Sequence, residues 1–165
     1  MPTVYIETSI ISYLAAQPSR DLVTAAHQQM THDWWRRRRS SFDLFVSQLV
    51  IDEAAGGDPD AASRRAALLA ELPILDITPT VTSFAVFLAE ATGLPKRAGA
   101  DALHIAVAAV HGMAYLLTWN CTHIANARLR VLVERACEKW GYMTPTMCTP
   151  EELMEEVIDD ESRKG

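Results

Sequence analysis

Three carboxylates stand in sequence that leaves them little water. Glu7 closes the strand-forming run VYIE and is followed at once by two small hydroxyl residues, Thr8 and Ser9. Glu53 lies within SQLVIDEAAGGD, and Asp101 lies near the start of AGADALHIAVAAV, the most apolar segment of the chain. A carboxylate in such surroundings must be hydrogen-bonded, paired or bound to a cation. A further polar group follows in LLTWNCTHIAN, where Thr118, Asn120, Thr122, His123 and Asn126 crowd together. Carboxylates gathered at one point repel each other unless cations lie between them. Hard oxygen ligands suit Mg2+ or Mn2+, and the histidine–cysteine sets that zinc favours are absent. Metal sites of this kind act on phosphates, which join the ion as ligands.

Each residue also has a plainer role. Glu7 and Asp101 suit the positive end of a helix dipole. Glu53 suits a solvated helix face beside Asp52, and Asn120 suits a turn. His123 serves either as a phosphate contact and proton carrier or as a packed residue. His104, one turn after Asp101, stands either behind the metal ligands or in the core. Trp119 suits base stacking or core packing.

These side chains meet only if the elements bring them together. Hydrophobic periodicity predicts a strand at Thr3–Ile6 and a short helix from Thr8 to Ala16. Ser19 is the expected cap of a long helix ending in the arginine run. A second strand is expected at Phe42–Val46. Ser47 then caps a helix that stops at Gly56-Gly57. Asp58-Pro59 and Thr78-Pro79 each join a cap to a proline at the first helical position. Between those two helices, Ile74–Ile77 reads as a third strand. The apolar helix spans Ala98 to His111, a fourth strand Tyr115–Thr118, a helix Thr122–Trp140 and a fifth strand Tyr142–Met147. Thr149-Pro150-Glu151-Glu152 is a capping box that predicts a last helix. Strands alternating with helices predict parallel pairing in an α/β sandwich. Sites in such sheets lie at the carboxyl ends of strands, where Glu7 stands.

The 165 residues fit one domain. Residues 1–150 carry the pattern, and residues 151–165 form a terminal helix and acidic tail. No apolar run suits a membrane span, and the start of the chain lacks the features of a secretory signal. Cys121, Cys137 and Cys148 form no CxxC pair, which fits a cytoplasmic protein. The formal net charge is −6. From Glu151 onward there are seven acids against two bases, so the remaining 150 residues carry only −1. Basic residues cluster at Arg36–Arg39, Arg64-Arg65, Lys96-Arg97 and Arg128 with Arg130. Composition therefore neither favours nor excludes a polyanionic substrate. The arginine run suits either an RNA backbone or a helix C-terminus. Trp34-Trp35 suits either an interface or the interior.

Taken in order, YIETS, S-x-x-V-x-x-E in SQLVIDE, ADALHIA and TWN resemble the PIN domain, with the nearest branch the VapC-like proteins of toxin–antitoxin systems. The resemblance runs from about Val4 to Pro150. It implies a PIN-like α/β/α sandwich around a mainly parallel sheet of four to five strands, and a metal-dependent ribonuclease site. Glu7 matches the family's first acid, which is most often Asp; Glu53 matches the second and Asp101 the third. Asn120 falls where many members carry a fourth acid. Thr8 or Ser9 matches the hydroxyl residue after the first acid, and Thr118 the one before the fourth. Glu7 and Asp101 are then the expected direct ligands of Mg2+ or Mn2+, and Glu53 binds a metal or orients the attacking water. Asn120 is an outer ligand, and His123 and Asn126 are less central. With three formal charges rather than four, one tight metal and a second arriving with substrate fit better than two resident ions. Such a pair, about 3.5–4 Å apart, activates a water and stabilises the leaving oxygen of an in-line phosphoryl displacement.

The expected function is a metal-dependent endoribonuclease acting on RNA phosphodiesters, the toxin of a pair with a cognate antitoxin, and a homodimer. The rival reading is a catalytically weak or inactive PIN-like module that binds RNA or protein. A metal-dependent phosphatase or DNA nuclease would use the same ligands.

Overall fold

Val4, Tyr5 and Ile6 are β-branched or aromatic residues, and all three are buried in strand β1 (Thr3–Ile6). The chain, described by a computed structural model over residues 1–154, continues through α1 (Thr8–Ala15), α2 (Leu22–Arg37) and β2 (Asp43–Ser47). Then come α3 (Gln48–Ala54), α4 (Pro59–Leu69), β3 (Ile74–Leu75), α5 (Pro79–Thr92) and α6 (Gly99–Val110). β4 (Tyr115–Leu117), α7 (Ala127–Trp140) and β5 (Thr146–Cys148) complete the described fold.

The five strands form one sheet in the order β3-β2-β1-β4-β5, and every pairing is parallel. The chain steps from β1 to β2 and β3 on one side, then returns past β1 to β4 and β5 on the other, and right-handed crossovers in opposite directions place their helices on opposite faces. Helices α1 to α4 accordingly pack among themselves, and α5 packs on α6 and α7. This is the α/β/α sandwich expected from the sequence. Its order reverses between β1 and β4, which pair as Val4 with Tyr115 and Ile6 with Leu117.

Cap chemistry sets most of the helix starts. Asp58 accepts the Ala61 N–H at 2.9 Å and Thr78 the Val81 N–H at 3.3 Å, each before a proline. Gly93 and Gly141 take the left-handed conformation that ends α5 and α7, at φ 67° and 76°. Two arginines of α4 close other helices from outside. Arg64 Nε donates to the Ala15 carbonyl, and Arg65 Nε to that of Ala54, both at 2.8 Å. Both cations serve helix C-termini.

Two helix starts differ from expectation. Helix α2 is capped by Asp21, whose carboxylate accepts the Thr24 N–H at 2.9 Å, while Ser19 Oγ accepts the Asp21 N–H at 3.1 Å. Helix α7 begins at Ala127 rather than Thr122, because Asn126 Oδ1 caps it and residues 119–126 run as turns. Thr149 and Glu152 do form the reciprocal box, at 3.1 and 3.4 Å. The rest of the predicted last helix and the acidic residues from Glu155 lie outside the described residues. Trp34 is fully buried and stacks on Phe42, which puts it in the interior, and Arg39 lies over the Trp35 ring at 4.1 Å.

Candidate active site

The sheet ladder continues past the ends of β1 and β4. The Glu7 N–H donates to the Leu117 carbonyl at 3.1 Å, and the Thr118 N–H to the Cys148 carbonyl at 3.0 Å. Glu7 and Thr118 are thereby fixed side by side at the carboxyl ends of the two central strands, where the order reverses and open parallel sheets bind ligands. Glu7 is also the N-cap of α1. Its Oε2 accepts the Ser9 N–H at 3.0 Å, and its Oε1 accepts the hydroxyls of Ser9, at 2.6 Å, and Thr118. The residue is only 6% exposed, yet its carboxylate is well supplied with donors. Ser9 Oγ further accepts the Trp119 N–H at 2.8 Å, tying α1 to the end of β4.

Glu53 arrives from α3. Its Oε1 accepts from Thr8 Oγ1 at 2.7 Å and lies 2.6 Å from His104 Nε2. Burial works against its charge, but the hydrogen bonds from His104 and Thr8 outweigh it and hold the carboxyl below its ordinary range. His104 Nε2 also lies 4.0 Å from Glu7 Oε2. One donor atom from each of Glu7, Glu53 and His104 falls within 4.8 Å of the other two. Two carboxylates that close, one of them held in its charged form, suit a divalent cation.

Asp101 enters a neighbouring cluster. Its Oδ1 accepts from Asn120 Nδ2 at 3.0 Å, and its Oδ2 lies 2.9 Å from His123 Nδ1. Asn120 Oδ1 accepts the His123 N–H at 2.9 Å. A carboxylate only accepts, so Nδ1 carries the proton and Nε2 is left to exchange one. His123 lines a cleft of about 300 Å3 with Thr122, Asn126, Arg128 and Leu129, among others. The Asn126 side chain is committed to the cap of α7 and to the Cys121 carbonyl, at 3.0 Å each.

The expected residues thus fall into three adjoining sets. Glu7, Ser9 and Thr118 share one set of hydrogen bonds; Asp101, Asn120 and His123 share another, joined to the first by the Asn120 N–H, which donates to Thr118 Oγ1 at 2.9 Å; Glu53 and Thr8 form the third with His104, which meets the first only through the 4.0 Å approach of its Nε2 to Glu7 Oε2. His104 stands between the carboxylates Glu7 and Glu53. The sequence leaves His104 between two roles, reads Tyr5 only as a strand residue and gives the Ser47 hydroxyl to the cap of α3; Ser47 does stand at that N-cap position, but its side chain makes no cap bond and turns to Tyr5 instead. Tyr5 Oη lies 2.7 Å from both Ser47 Oγ and His104 Nδ1. The available signal was the alternation of a strand, which puts Tyr5 on the face of Glu7 two residues later.

Burial pushes the Tyr5 phenol far above its usual range, helped by the charges of Glu7 and Glu53 against the opposing Ser47 hydrogen bond, so it remains an O–H. Burial likewise pushes the Cys148 thiol up to about 12, and Cys137 is raised for the same reason, so neither is poised as a nucleophile. Trp119 stacks on His27 with ring centroids 4.0 Å apart, and its Nε1 donates to Thr31 Oγ1 at 2.7 Å. One face of that indole is therefore already covered from α2.

The sequence profile of the family described as PIN domain matches residues 4–120. A solved structure titled "Structure of FitAB bound to IR36 DNA fragment" superposes with a TM-score of 0.54 at 13% identity, covering 90% of this chain and 95% of that one. At that identity the likeness speaks for the fold alone. No curated protein matches the sequence.

Proposed function

The chain belongs to the PIN domain family, and from that premise we propose that it is a divalent-metal-dependent endoribonuclease that hydrolyses RNA phosphodiester bonds. The observation that carries the reading is the meeting of Glu7 and Glu53 beside His104 at the reversal of strand order, with Asp101 in the adjoining network. The donor set fits Mg2+ or Mn2+: carboxylate oxygens dominate it, and a thiolate has no part in it. When bound, the ion supplies charge neutralisation and lowers the pKa of a water.

The side chains divide the remaining work. Glu7 and Glu53 hold the cation. Asp101 is the third carboxylate, facing the cation from the adjoining group, and each of its oxygens accepts one hydrogen bond and keeps a further lone pair. Asn120 steadies Asp101, and Asp101 orients His123, which carries a proton at Nε2 to or from the reacting phosphate. Thr8, Ser9 and Thr118 hold the two glutamates in place. The same proposal takes in a toxin role silenced by a cognate antitoxin protein, a homodimeric state and a cytoplasmic location. No helix among the described residues is long and apolar enough to cross a membrane.

Cleavage of end-labelled RNA and of single-stranded DNA with Mg2+, Mn2+ or EDTA tests the reading. RNA is cut with metal and spared in EDTA. Glu53→Gln and Asp101→Asn each lower the rate at least ~100-fold, the order of loss when one electrostatic partner of a transition state is removed. Cleavage that survives EDTA and both substitutions rules the site out. Metal binding without cleavage favours the PIN-like RNA- or protein-binding module, and preferential cutting of DNA reassigns the substrate.

A further inference from the structure

The buried polar side chains nearest the two glutamates form one unbroken chain. Tyr5 and Ser47 are 0% exposed and His104 is 1% exposed. Ser47 Oγ to Tyr5 Oη is 2.7 Å, Tyr5 Oη to His104 Nδ1 is 2.7 Å, and His104 Nε2 to Glu53 Oε1 is 2.6 Å. The carboxylate at the end fixes the direction of every bond. Glu53 only accepts, so Nε2 carries the proton. In a neutral ring Nδ1 must then accept, so Tyr5 donates to it and in turn accepts from Ser47. Each hydroxyl and each ring nitrogen is satisfied, with no proton short and none in excess.

The outer end of the chain is as specific as the inner. Thr8 Oγ1 and His104 Nε2 both donate to Oε1 of Glu53, at 2.7 and 2.6 Å, and neither engages Oε2. Three interior polar groups carry a desolvation cost that an apolar set of the same volume would avoid. Their bonds return one thing, a fixed place for a glutamate whose side chain is 36% exposed and stands on a short helix.

We propose that Ser47, Tyr5 and His104 form a positioning device for Glu53, with His104 acting as a hydrogen-bond donor that pins Oε1 and leaves Oε2 for the cation. This rests on the nuclease reading for its purpose. It goes beyond that reading in naming residues outside the acid set and in assigning the imidazole a donor's role rather than a ligand's. Ser47 and Tyr5 act through His104, and His104 through Glu53.

Two measurements on the full chain test it. In the metal-free wild type, histidine 15N NMR should show His104 as the Nε2–H tautomer with a slowly exchanging ring proton. An Nδ1–H tautomer overturns the assignment. Mn2+ binding by calorimetry should then weaken about 10–100-fold in Tyr5→Phe and in His104→Ala, the usual loss when a group supporting a ligand is removed. His104→Gln, whose amide N–H can reach the same oxygen, should recover part of that loss. Tyr5→Phe combined with His104→Ala should bind no worse than His104→Ala alone, because the groups act in series.

Wild-type affinity in Tyr5→Phe, or a His104→Gln no better than His104→Ala, sinks the proposal. A wild type that binds Mn2+ but cuts nothing removes the nuclease reading and leaves the affinity series to decide the positioning role. A wild type that binds no Mn2+ overturns both.

Discussion

Glu53 is exposed enough to meet a ligand yet held on one oxygen by two donors, and this gives it a measurable acid response. Its folded-state carboxyl sits below the ordinary value of 4.5 because the hydrogen bonds from His104 and Thr8 overcome the effect of burial. A group whose pKa is depressed by folding adds stability above its unfolded pKa, and that stability is lost as pH falls through the folded value. The window therefore opens below that ordinary value and runs down through the lowered one. Urea melts of wild type and Glu53→Gln across that window should show a steeper loss for the wild type. Parallel pH dependences would mean that the carboxylate gains nothing from its two partners. Asp101 needs no such test to show its engagement, since Asn120 and His123 occupy one oxygen each. Its partners explain how a carboxylate near the start of so apolar a helix is tolerated.

The segment between β4 and α7 shows how a helix start decides which side chains face the cleft. Thr122 is a plausible cap by type, and the sequence pattern alone extends α7 back to it. Instead Asn120 Oδ1 takes the His123 N–H and closes a turn, and Asn126 Oδ1 takes the Arg128 and Leu129 N–H groups. A side chain's choice between two nearby N–H groups depends on the position of the preceding strand, which no local pattern records. Asn126→Ala removes this cap and should cost about 1 kcal/mol in chemical denaturation. A cost near zero would show that the helix start is held by the turn alone. Strands β1, β2 and β4 and the cap-proline starts were readable because their signals are local: β-branched runs, Asp58-Pro59, Thr78-Pro79, and glycines at the ends of α5 and α7; β3 is shorter than its apolar run, at Ile74–Leu75, and β5 starts at Thr146 rather than Tyr142. The acids Glu7, Glu53 and Asp101 were readable as misfits in apolar surroundings. What stayed hidden was their pairing. His104 lies one turn from Asp101 on α6, yet it meets Glu53 and Tyr5, because the order β3-β2-β1-β4-β5 decides which strand ends α6 overlooks.

That order is a property of the whole chain, and so is the site. Glu7, Glu53 and His104 come from β1's end, α3 and α6, far apart in sequence, and their donor atoms come within 4.8 Å only when the sheet is assembled. A cation held there binds the native state and has no equivalent in the unfolded one, so its binding must raise stability by mass action. At a concentration about a hundredfold above its dissociation constant the gain is about 2.7 kcal/mol. For a chain of this size that is a rise in Tm of roughly 5–10 °C. Thermal melts in Mn2+ should show the rise for the wild type, its reversal by EDTA, and its loss in Glu7→Gln and Glu53→Gln. The acidic residues from Glu151 onward are the competing place for a cation. A rise that persists in both glutamine variants and vanishes when the chain is cut after Pro150 would put the metal there, and would leave the strand-end carboxylates to be explained by α1 and the helix dipole alone.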